Sequence, residues 1–273
     1  MPVKKGKTMQ NDYLLKIGEK GAQRLNLLNT IHGQHSEAFL LRVGLTEGMT
    51  VLDMGCGNGK MTEWISQQVG KTGQVYAVDA SAAQIEQINQ CSSLNNVTGI
   101  AQNIYDLDLG QIKFDLIYCR YFLLHLVHPL QGIEILKRYL KPGGWFAFEE
   151  AMISSAFCYP YSTAYAKSRT LIKQLAQKKD LNFELGGQLV KMMHSLNMQA
   201  IDIEFVQPIL KTPLERSINT MMLEECRQHY VDHDLISAQE LNDIIAELEH
   251  IAEDPAYLIA FPRTSQVSAQ NDA

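Results

Sequence analysis

Apolar residues recur along this chain with two different spacings, and the change falls near residue 50. Up to residue 45 they recur at near-helical spacing, with Gly18 and Gly21 as an expected break. The segment SEAFLLRVGL predicts a second helix that begins at Ser36 and ends at Gly44. Residues 1–45 are therefore predicted to form an N-terminal helical cap.

Between residues 46 and 151, short apolar runs alternate with stretches of helical spacing. The runs are typical of buried strands, and the stretches between them predict amphipathic helices. This alternation indicates right-handed crossovers and a parallel sheet that is covered on both faces. The predicted strands are TVLDMG, QVYAVDA, VTGIAQNI, FDLIYCR and WFAFEEA, and the predicted helices are KMTEWISQQVG, SAAQIEQINQCSSLNN and PLQGIEILKRYLKPGG.

The regular alternation of predicted strands and helices ends after residue 151. Residues 152–185 are too long for an ordinary strand–helix connection and are expected to be helical in part. A helix (GGQLVKMMHSLNM) and a strand (QAIDIEFVQPIL) follow, and residues 212–254 are mostly helical, with a capping box between Ser237 and Glu240. AYLIAFPRT predicts a last short strand, and the polar residues 265–273 are expected to be a disordered tail.

Composition excludes several classes of function without identifying one. The 273 residues are 46% hydrophobic and 20% charged, with a net charge of -6, so a general basic field for nucleic acid is missing. No stretch reaches the roughly 18 clean apolar residues of a membrane span, and the basic N-terminus lacks the apolar segment of a secretory signal. The five cysteines are widely spaced, without a CxxC or zinc pattern, which favours reduced thiols, a cytoplasmic protein and no metal site.

Candidate chemistry concentrates in VLDMGCGNGK, where Gly55, Gly57 and Gly59 directly follow a predicted strand. A glycine turn between a strand and a helix N-terminus is a general nucleotide platform. A dinucleotide fingerprint, G-x-G-x-x-G, would require glycine where Lys60 stands. Asp79 ends the next predicted strand, twenty positions past Gly59, and its carboxylate can accept hydrogen bonds from both hydroxyls of a ribose.

Four motifs in order, VLDMGCGNGK, VYAVDAS, FDLIYCRYFLLHL and LKPGG, resemble those of the class I S-adenosylmethionine (SAM)-dependent methyltransferases, in the branch that mostly methylates small molecules. The resemblance spans roughly residues 46–150 and is weaker near 201–210. It implies a Rossmann-like, doubly wound, mostly parallel sheet of seven strands with helical lid insertions. The implied SAM-binding core comprises residues 46–151, 186–210 and 255–264, and the implied substrate lids are residues 152–185 and 212–254.

The resemblance also implies a SAM site, residue by residue. The methionine end of SAM would lie on the glycine turn, which Asp53 supports, and Asp79 would bind the ribose. Asn103 stands where the family often has an acidic residue that contacts the adenine amine. Tyr13 and Arg24, on the leading segment, would cover SAM and meet its carboxylate, or else lie solvated on an amphipathic helix. The further implied contacts are Gly55, Cys56 and Gly57 on the turn, Ala80 and Ser81 beside the adenosine, Ile104 on the adenine, and Cys119 and Arg120 beside the amino group and the methyl.

The methyl group of SAM is already activated by the sulfonium, so alignment and exclusion of water are the protein's main tasks. A base is needed only when the acceptor must lose a proton. His125 is a candidate base or a helix-packing residue, and Glu149 a substrate contact or a structural residue. Tyr161 and Tyr165 would belong to a lid over a flat or apolar substrate, or else pack an inserted helix.

Three alternatives stay open at this stage. The acceptor could be RNA, DNA or protein, although CRYF after the fourth strand differs from the N-P-P-Y motif of nucleic-acid amino-methyltransferases. The chain could also bind SAM without catalysis, as a regulatory module. A homodimer is a further alternative, with Met221, Met222 and Leu223 as core or dimer contacts. The acceptor itself, and whether O, N or C is methylated, stay undetermined.

Overall fold

The computed structural model describes residues 19–91 and 94–272, so the predicted contact Tyr13 lies outside the described residues. Its centre is a seven-stranded sheet with the order β3-β2-β1-β4-β5-β10-β7. The first five strands in this order are parallel, whereas β10 runs antiparallel to β5 and β7. The predicted doubly wound sheet is therefore confirmed. The strands of this sheet are β1 (Thr50–Met54), β2 (Gln74–Asp79), β3 (Val97–Ala101), β4 (Phe114–Arg120), β5 (Leu140–Met152), β7 (Gln199–Val206) and β10 (Arg263–Gln270).

Helices cover both faces of the sheet, and several begin at residues that the sequence indicates. Ser81 accepts a hydrogen bond from the backbone N–H of Gln84, and Ser237 and Glu240 form the predicted capping box. In the described part of the chain, no helix has the length and apolarity to cross a membrane. The helices are α1 (Glu19–Val43), α2 (Lys60–Val69), α3 (Ala82–Asn89), α4 (Pro129–Lys137), α5 (Thr163–Lys178), α6 (Leu189–Ser195), α7 (Pro213–Arg216), α8 (Ile218–Glu225), α9 (Arg227–Asp232) and α10 (Ala238–Glu253).

The leading segment corrects one prediction, because α1 is a single helix rather than two. Ser36 does not begin a helix: it lies buried in the middle of α1, where its hydroxyl accepts a hydrogen bond from Arg120. A serine inside a helix is tolerated when its hydroxyl finds such a partner. The predicted end at Gly44 is correct, since this glycine has a positive φ of +103° just beyond the helix.

The C-terminal segment corrects a second prediction. Residues 265–270, expected in a disordered tail, belong to β10, which pairs with β5 on one side and β7 on the other. The polar side chains of this strand are buried but have partners: the Nε2 of Gln266 donates to Glu149 at 2.8 Å and to the carbonyl of His35 at 3.1 Å. Polar residues lie in a core when their hydrogen bonds are made there, and composition alone does not indicate those partners.

The insertions after β5 build a second apolar core beside the sheet. Helices α5 and α8 to α10 pack around a small three-stranded sheet of β6 (Phe157–Tyr159), β9 (Leu258–Ala260) and β8 (Ile209–Leu210). Leu27 and Ile31 of α1 join this core. The N-terminal helix therefore packs both on the insertions and, through Phe39 and Leu40, on the central sheet. The residue boundaries of core and lids given above stay predictions.

Candidate functional site

A cavity of about 530 Å³ opens where the carboxyl ends of β1, β2 and β4 meet. Strand β1 lies between β2 and β4 in the sheet order, and ligands of open α/β sheets bind at such a topological switch point. Helix α1 and the residues that follow α5 close the cavity from the other side. The lining includes Arg24, Leu25, Leu28, Asp53, Gly55, Cys56, Gly57, Asp79, Ala80, Ser81, Asn103, Ile104, Arg120, Tyr121, Phe122, His125 and Leu181.

The glycine turn forms the floor of the cavity, and its backbone requires glycine. Gly55 and Gly57 have positive φ angles of +74° and +55°. A Cβ atom on Gly55 would lie 2.5 Å from the ring of Phe122, and one on Gly57 would lie 3.3 Å from the side chain of Leu25. The turn is thus a cradle in which Phe122 and α1 approach the bare backbone.

Two carboxylates at strand ends fix this turn. The Oδ2 of Asp53 accepts a hydrogen bond from Thr62 at 2.6 Å, and burial raises the pKa of Asp53 to about 6. The Oδ2 of Asp79 accepts from the backbone N–H of Gly57 at 3.0 Å, and its Oδ1 from that of Ser81 at 2.8 Å. Burial also raises the pKa of Asp79. Asp79 therefore ties the end of β2 to the glycine turn.

The side of the cavity beyond β3 is formed by Asn103 and Ile104. The Oδ1 of Asn103 accepts from the backbone N–H of Tyr105 at 3.0 Å, which directs this oxygen to the local backbone. The Asn103 amide nitrogen makes no hydrogen bond within the described part of the chain, so it can donate to a ligand in the cavity that this residue lines. Ile104 is buried and supplies an apolar surface beside it.

Two arginines anchor α1 beside the cavity. Arg120, at the end of β4, donates to Ser36 at 3.0 Å and to Asn29 at 3.1 Å, both on α1. The Nε of Arg24 donates to the two carboxylate oxygens of Glu225 at 3.2 and 3.0 Å, and this ion pair is almost completely buried. These contacts join the N-terminal helix to both the sheet and α8.

The loop after β4 is held by the carboxylate of Glu150, the second acidic residue of the predicted strand WFAFEEA. The Oε1 of Glu150 accepts hydrogen bonds from the backbone N–H groups of Phe122 at 3.0 Å and Leu123 at 2.6 Å, and its Oε2 accepts from that of Leu124 at 3.3 Å. Burial raises the pKa of Glu150 to about 8 against the lowering effect of these donors. A pair of acidic residues at the end of an apolar strand was the one sequence feature that pointed to such a contact.

His125 lies on the same loop and lines the cavity. Its ring meets that of Phe183 edge-on, with 5.5 Å between the centroids. Burial, and then the charge of Arg24, lower the pKa of His125 to about 3. The imidazole is therefore neutral at physiological pH.

Four predicted contacts lie elsewhere. Glu149 is fully buried behind the cavity wall, where it accepts from the hydroxyl of Tyr118 at 2.5 Å and from Gln266. Strand alternation directs the next candidate, Cys119, to the opposite face of the sheet from Arg120, and it is buried in the core. Tyr161 and Tyr165 line a second cavity beside α5, and Tyr165 packs in the apolar core of the insertions. The rest of the first cavity is instead lined by Leu25, Leu28, Tyr121, Phe122, His125, Leu126, Val127 and residues 178–181.

A mostly parallel sheet of this order, with helices on both faces and a cavity at its switch point, defines a Rossmann-like α/β protein. The family follows from sequence: residues 45–211, more than half of the chain, match the family model described as a methyltransferase domain. The chain belongs to this family.

Named relatives support the same family. The chain is 32% identical over 117 residues to a 2-phytyl-1,4-naphthoquinone methyltransferase of Trichormus variabilis, which covers 40% of this chain and 51% of the relative. It is 31% identical over 130 residues to a demethylmenaquinone methyltransferase of Staphylococcus aureus, covering 46% and 53%. The chain thus spans about half the length of the curated relatives it matches.

Solved structures share the fold. The YcgJ protein of Bacillus subtilis is 16% identical, with a TM-score of 0.58, and the match covers 88% of this chain and 99% of that one. A phosphoethanolamine N-methyltransferase of Haemonchus contortus in complex with S-adenosylhomocysteine is 16% identical, with a TM-score of 0.55, and the match covers 94% and 61%. At such identities the likeness shows the fold alone.

Proposed function

We propose that this chain is a SAM-dependent methyltransferase that acts on a small-molecule acceptor. The observation that carries the proposal is the bare glycine turn tied to Asp79 at the switch point of the sheet, in a chain of the methyltransferase family. The residues present fit SAM, since the turn leaves its backbone open to a ligand and the carboxylate of Asp79 borders the same cavity.

In this proposal each end of SAM has its own partners. Gly55, Cys56 and Gly57 would contact the methionine part, with Asp53 supporting the turn, and Asp79 would accept hydrogen bonds from the ribose. The adenosine would lie near Ala80, Ser81, Asn103 and Ile104. Since the Oδ1 of Asn103 already accepts from Tyr105, its amide nitrogen is the group that would donate to the base. Arg24, whose charge Glu225 balances, would lie near the carboxylate of SAM, and Arg120 would lie beside its amino group and methyl.

When bound, SAM supplies a methyl group on a sulfonium, and the chain's own residues contribute order and shielding. The loop held by Glu150 fixes Phe122 above the glycine turn, and α1 covers that side of the cavity. Such walls exclude water and align an acceptor for in-line displacement. His125 has a pKa of about 3 and is therefore a weak base, so we assign it a hydrogen bond to the acceptor.

The acceptor is proposed to be a flat, largely apolar ring compound. Besides the glycine turn, the cavity is lined by the aromatic and aliphatic side chains of Tyr121, Phe122, Leu126, Val127 and Leu181. Aromatic and aliphatic walls of this kind suit a planar ligand. The relatives named for methylating 2-phytyl-1,4-naphthoquinone and demethylmenaquinone support the same class.

Two measurements test this function. Calorimetric titration with SAM and with NADH should show binding of SAM only, and a preference for NADH would overturn the assignment. Methyl-labelled SAM incubated with a panel of naphthoquinols, phenols and amines should then transfer label to a ring acceptor. Tight SAM binding without transfer to any compound in the panel or in a cell extract would instead favour a non-catalytic SAM-binding module.

A further inference from the structure

A second cavity, of about 370 Å³, lies between β6 and the first turns of α5. It shares no lining residue with the cavity at the glycine turn. Its walls include Tyr161 and Tyr165, the aromatic residues that the sequence suggested as substrate contacts. Because these residues lie here, the aromatic stretch after β5 is free for a role separate from methyl transfer.

The cavity wall contains a cation without a counter-charge. Arg169 is 7% exposed and donates one recorded hydrogen bond, from its Nε to the hydroxyl of Ser168 at 3.3 Å. Its Nη1 and Nη2 are shielded from solvent and have no hydrogen-bond partner among the described residues. The guanidinium lies over the ring of Tyr165, 5.3 Å from the centroid, which holds it in one plane.

This arrangement differs from that of the other arginines with well-defined contacts near the core. Arg24 is paired with the carboxylate of Glu225, and Arg120 donates to two side-chain oxygens. A buried cation that lacks acceptors is costly, because neither water nor protein replaces its hydration. Native structures rarely keep such a group unless a ligand or ion completes it.

The remaining charges of the wall do not neutralise Arg169. No acidic side chain is among the described residues that line this cavity, and the charge of Lys173, one helical turn further along α5, is balanced by Glu184. The nearby carboxylate of Glu184 is engaged by Lys173 at 3.7 Å and by the backbone N–H of Ser154 at 3.0 Å. The local field therefore favours an anion.

The location of the cavity beside the first turn of α5 also favours an anion. Ser162 caps the 16-residue helix α5, and its first turn borders the cavity through Ser162, Tyr165 and Ala166. The N-terminus of a helix carries partial positive charge and unpaired N–H groups that attract anions. The cavity thus combines a helix N-terminus with an unpartnered buried guanidinium.

We propose that this second cavity binds a small organic anion, whose carboxylate or phosphate group pairs with Arg169 while an aromatic or aliphatic body lies against Phe157 and Tyr161. The planar fork of two Nη groups matches the two oxygens of such an anion. The cavity is larger than a bare inorganic ion requires, and its apolar wall accommodates a ring. Tyr161 lines the same cavity and is 75% exposed, so its ring is available to a ligand that enters from solvent.

The test is calorimetric titration of the full chain, without SAM, using benzoate, phenyl phosphate and the neutral benzyl alcohol. We expect saturable one-site binding of at least one anion and none of benzyl alcohol, and the stronger of the two anions identifies the preferred headgroup. Arg169→Met should weaken this binding about tenfold or more, since the charge-assisted pair is lost. Lys167→Gln, which removes a positive charge from an exposed position of the same helix, should bind as the wild type does.

Thermal unfolding separates a ligand site from a structural arginine. Without ligand, Arg169→Met should have a higher Tm than the wild type, because an uncompensated buried charge is replaced by an apolar side chain. A lower Tm, or equal binding of the anions by wild type and variant, would overturn the proposal, as would the absence of anion binding to the wild type. Should the methionine variant not fold, Arg169→Lys, which keeps the charge but loses the fork, must still weaken binding measurably.

Discussion

Glu150→Gln is expected to impair SAM binding by loosening the loop after β4. The carboxylate of Glu150 accepts from three consecutive backbone N–H groups, of Phe122, Leu123 and Leu124. An amide keeps one acceptor oxygen and replaces the other by a donor, so at least one N–H of the loop loses its partner. Leu124 is buried, and its N–H makes the longest of the three bonds, so it is the group most readily left unpaired.

The size of the effect follows from this lost contact. A buried N–H without an acceptor costs about 1–3 kcal/mol, which should appear as lower stability against denaturant. Since Phe122 covers Gly55, disorder of this loop removes one wall of the SAM cavity. If half to all of the lost free energy is also lost from binding, the Kd for SAM rises by roughly tenfold, because about 1.4 kcal/mol corresponds to a factor of ten.

Asp115→Asn supplies a matched control at the opposite end of β4. Asp115 also accepts a backbone N–H, that of Thr50 at 2.8 Å, and it pairs with Lys141. This variant should lose stability while keeping the wild-type affinity for SAM. Chemical denaturation and calorimetric titration of both variants provide the comparison. Equal losses of SAM affinity in the two variants, or wild-type affinity in Glu150→Gln, would refute the argument that Glu150 positions the cavity wall.

Four further outcomes are expected. Asp79→Ala should weaken SAM binding by about 1–3 kcal/mol, measured by calorimetry, and an unchanged Kd would remove this carboxylate from the site. Gly55→Ala should lower the unfolding midpoint, since the positive φ alone costs about 1–2 kcal/mol and the new Cβ meets Phe122; a midpoint like that of the wild type would contradict this geometry. The folded state raises the pKa of Glu150 to about 8, so the protonated group stabilises the fold below its unfolded pKa and this stabilisation is lost as the pH rises to 8. The destabilisation by Glu150→Gln should therefore be larger at pH 5 than at pH 8, as measured by denaturant titrations. His125 has a pKa of about 3, so the rate profiles of wild type and His125→Gln should have the same shape between pH 5 and 8, and an inflection lost only in the variant would assign proton transfer to this residue.

The clustering of the two aspartates with the glycine turn could be predicted, because it depends on local sequence. Asp53 and Asp79 end neighbouring parallel strands, and the glycine turn follows directly, so one regular sheet brings them to the same edge. The strand and helix patterns between residues 50 and 150 are sufficient to predict that arrangement. All of these residues line the cavity.

The remaining walls of the cavity could not be predicted, because they depend on how distant segments dock. Leu25 and Leu28 reach the cavity because α1 stays one helix through Ser36, a position whose burial depends on Arg120. Residues 178–181 reach it only because α5 packs in the second apolar core. Neither contact is visible as a periodic pattern in the sequence. Tyr161 and Tyr165, which suggested a lid, line the second cavity instead.

The polar side chains of β10 led to the wrong prediction of a disordered tail, and the same side chains form hydrogen bonds in the buried network. Thr264 lies within 2.6 Å of the hydroxyl of Tyr121, a residue with a φ of +51° at the wall of the cavity. Two positions further along, Gln266 donates to Glu149, which the adjacent strand buries. An apolar strand in this place would leave the carboxylate of Glu149 and the hydroxyl of Tyr121 each with one partner fewer inside the core, at a cost of about 1–3 kcal/mol for every group left unpaired. The polar residues of β10 are therefore a requirement of the buried network behind the cavity, and a central strand can carry them because its own backbone is hydrogen-bonded on both sides.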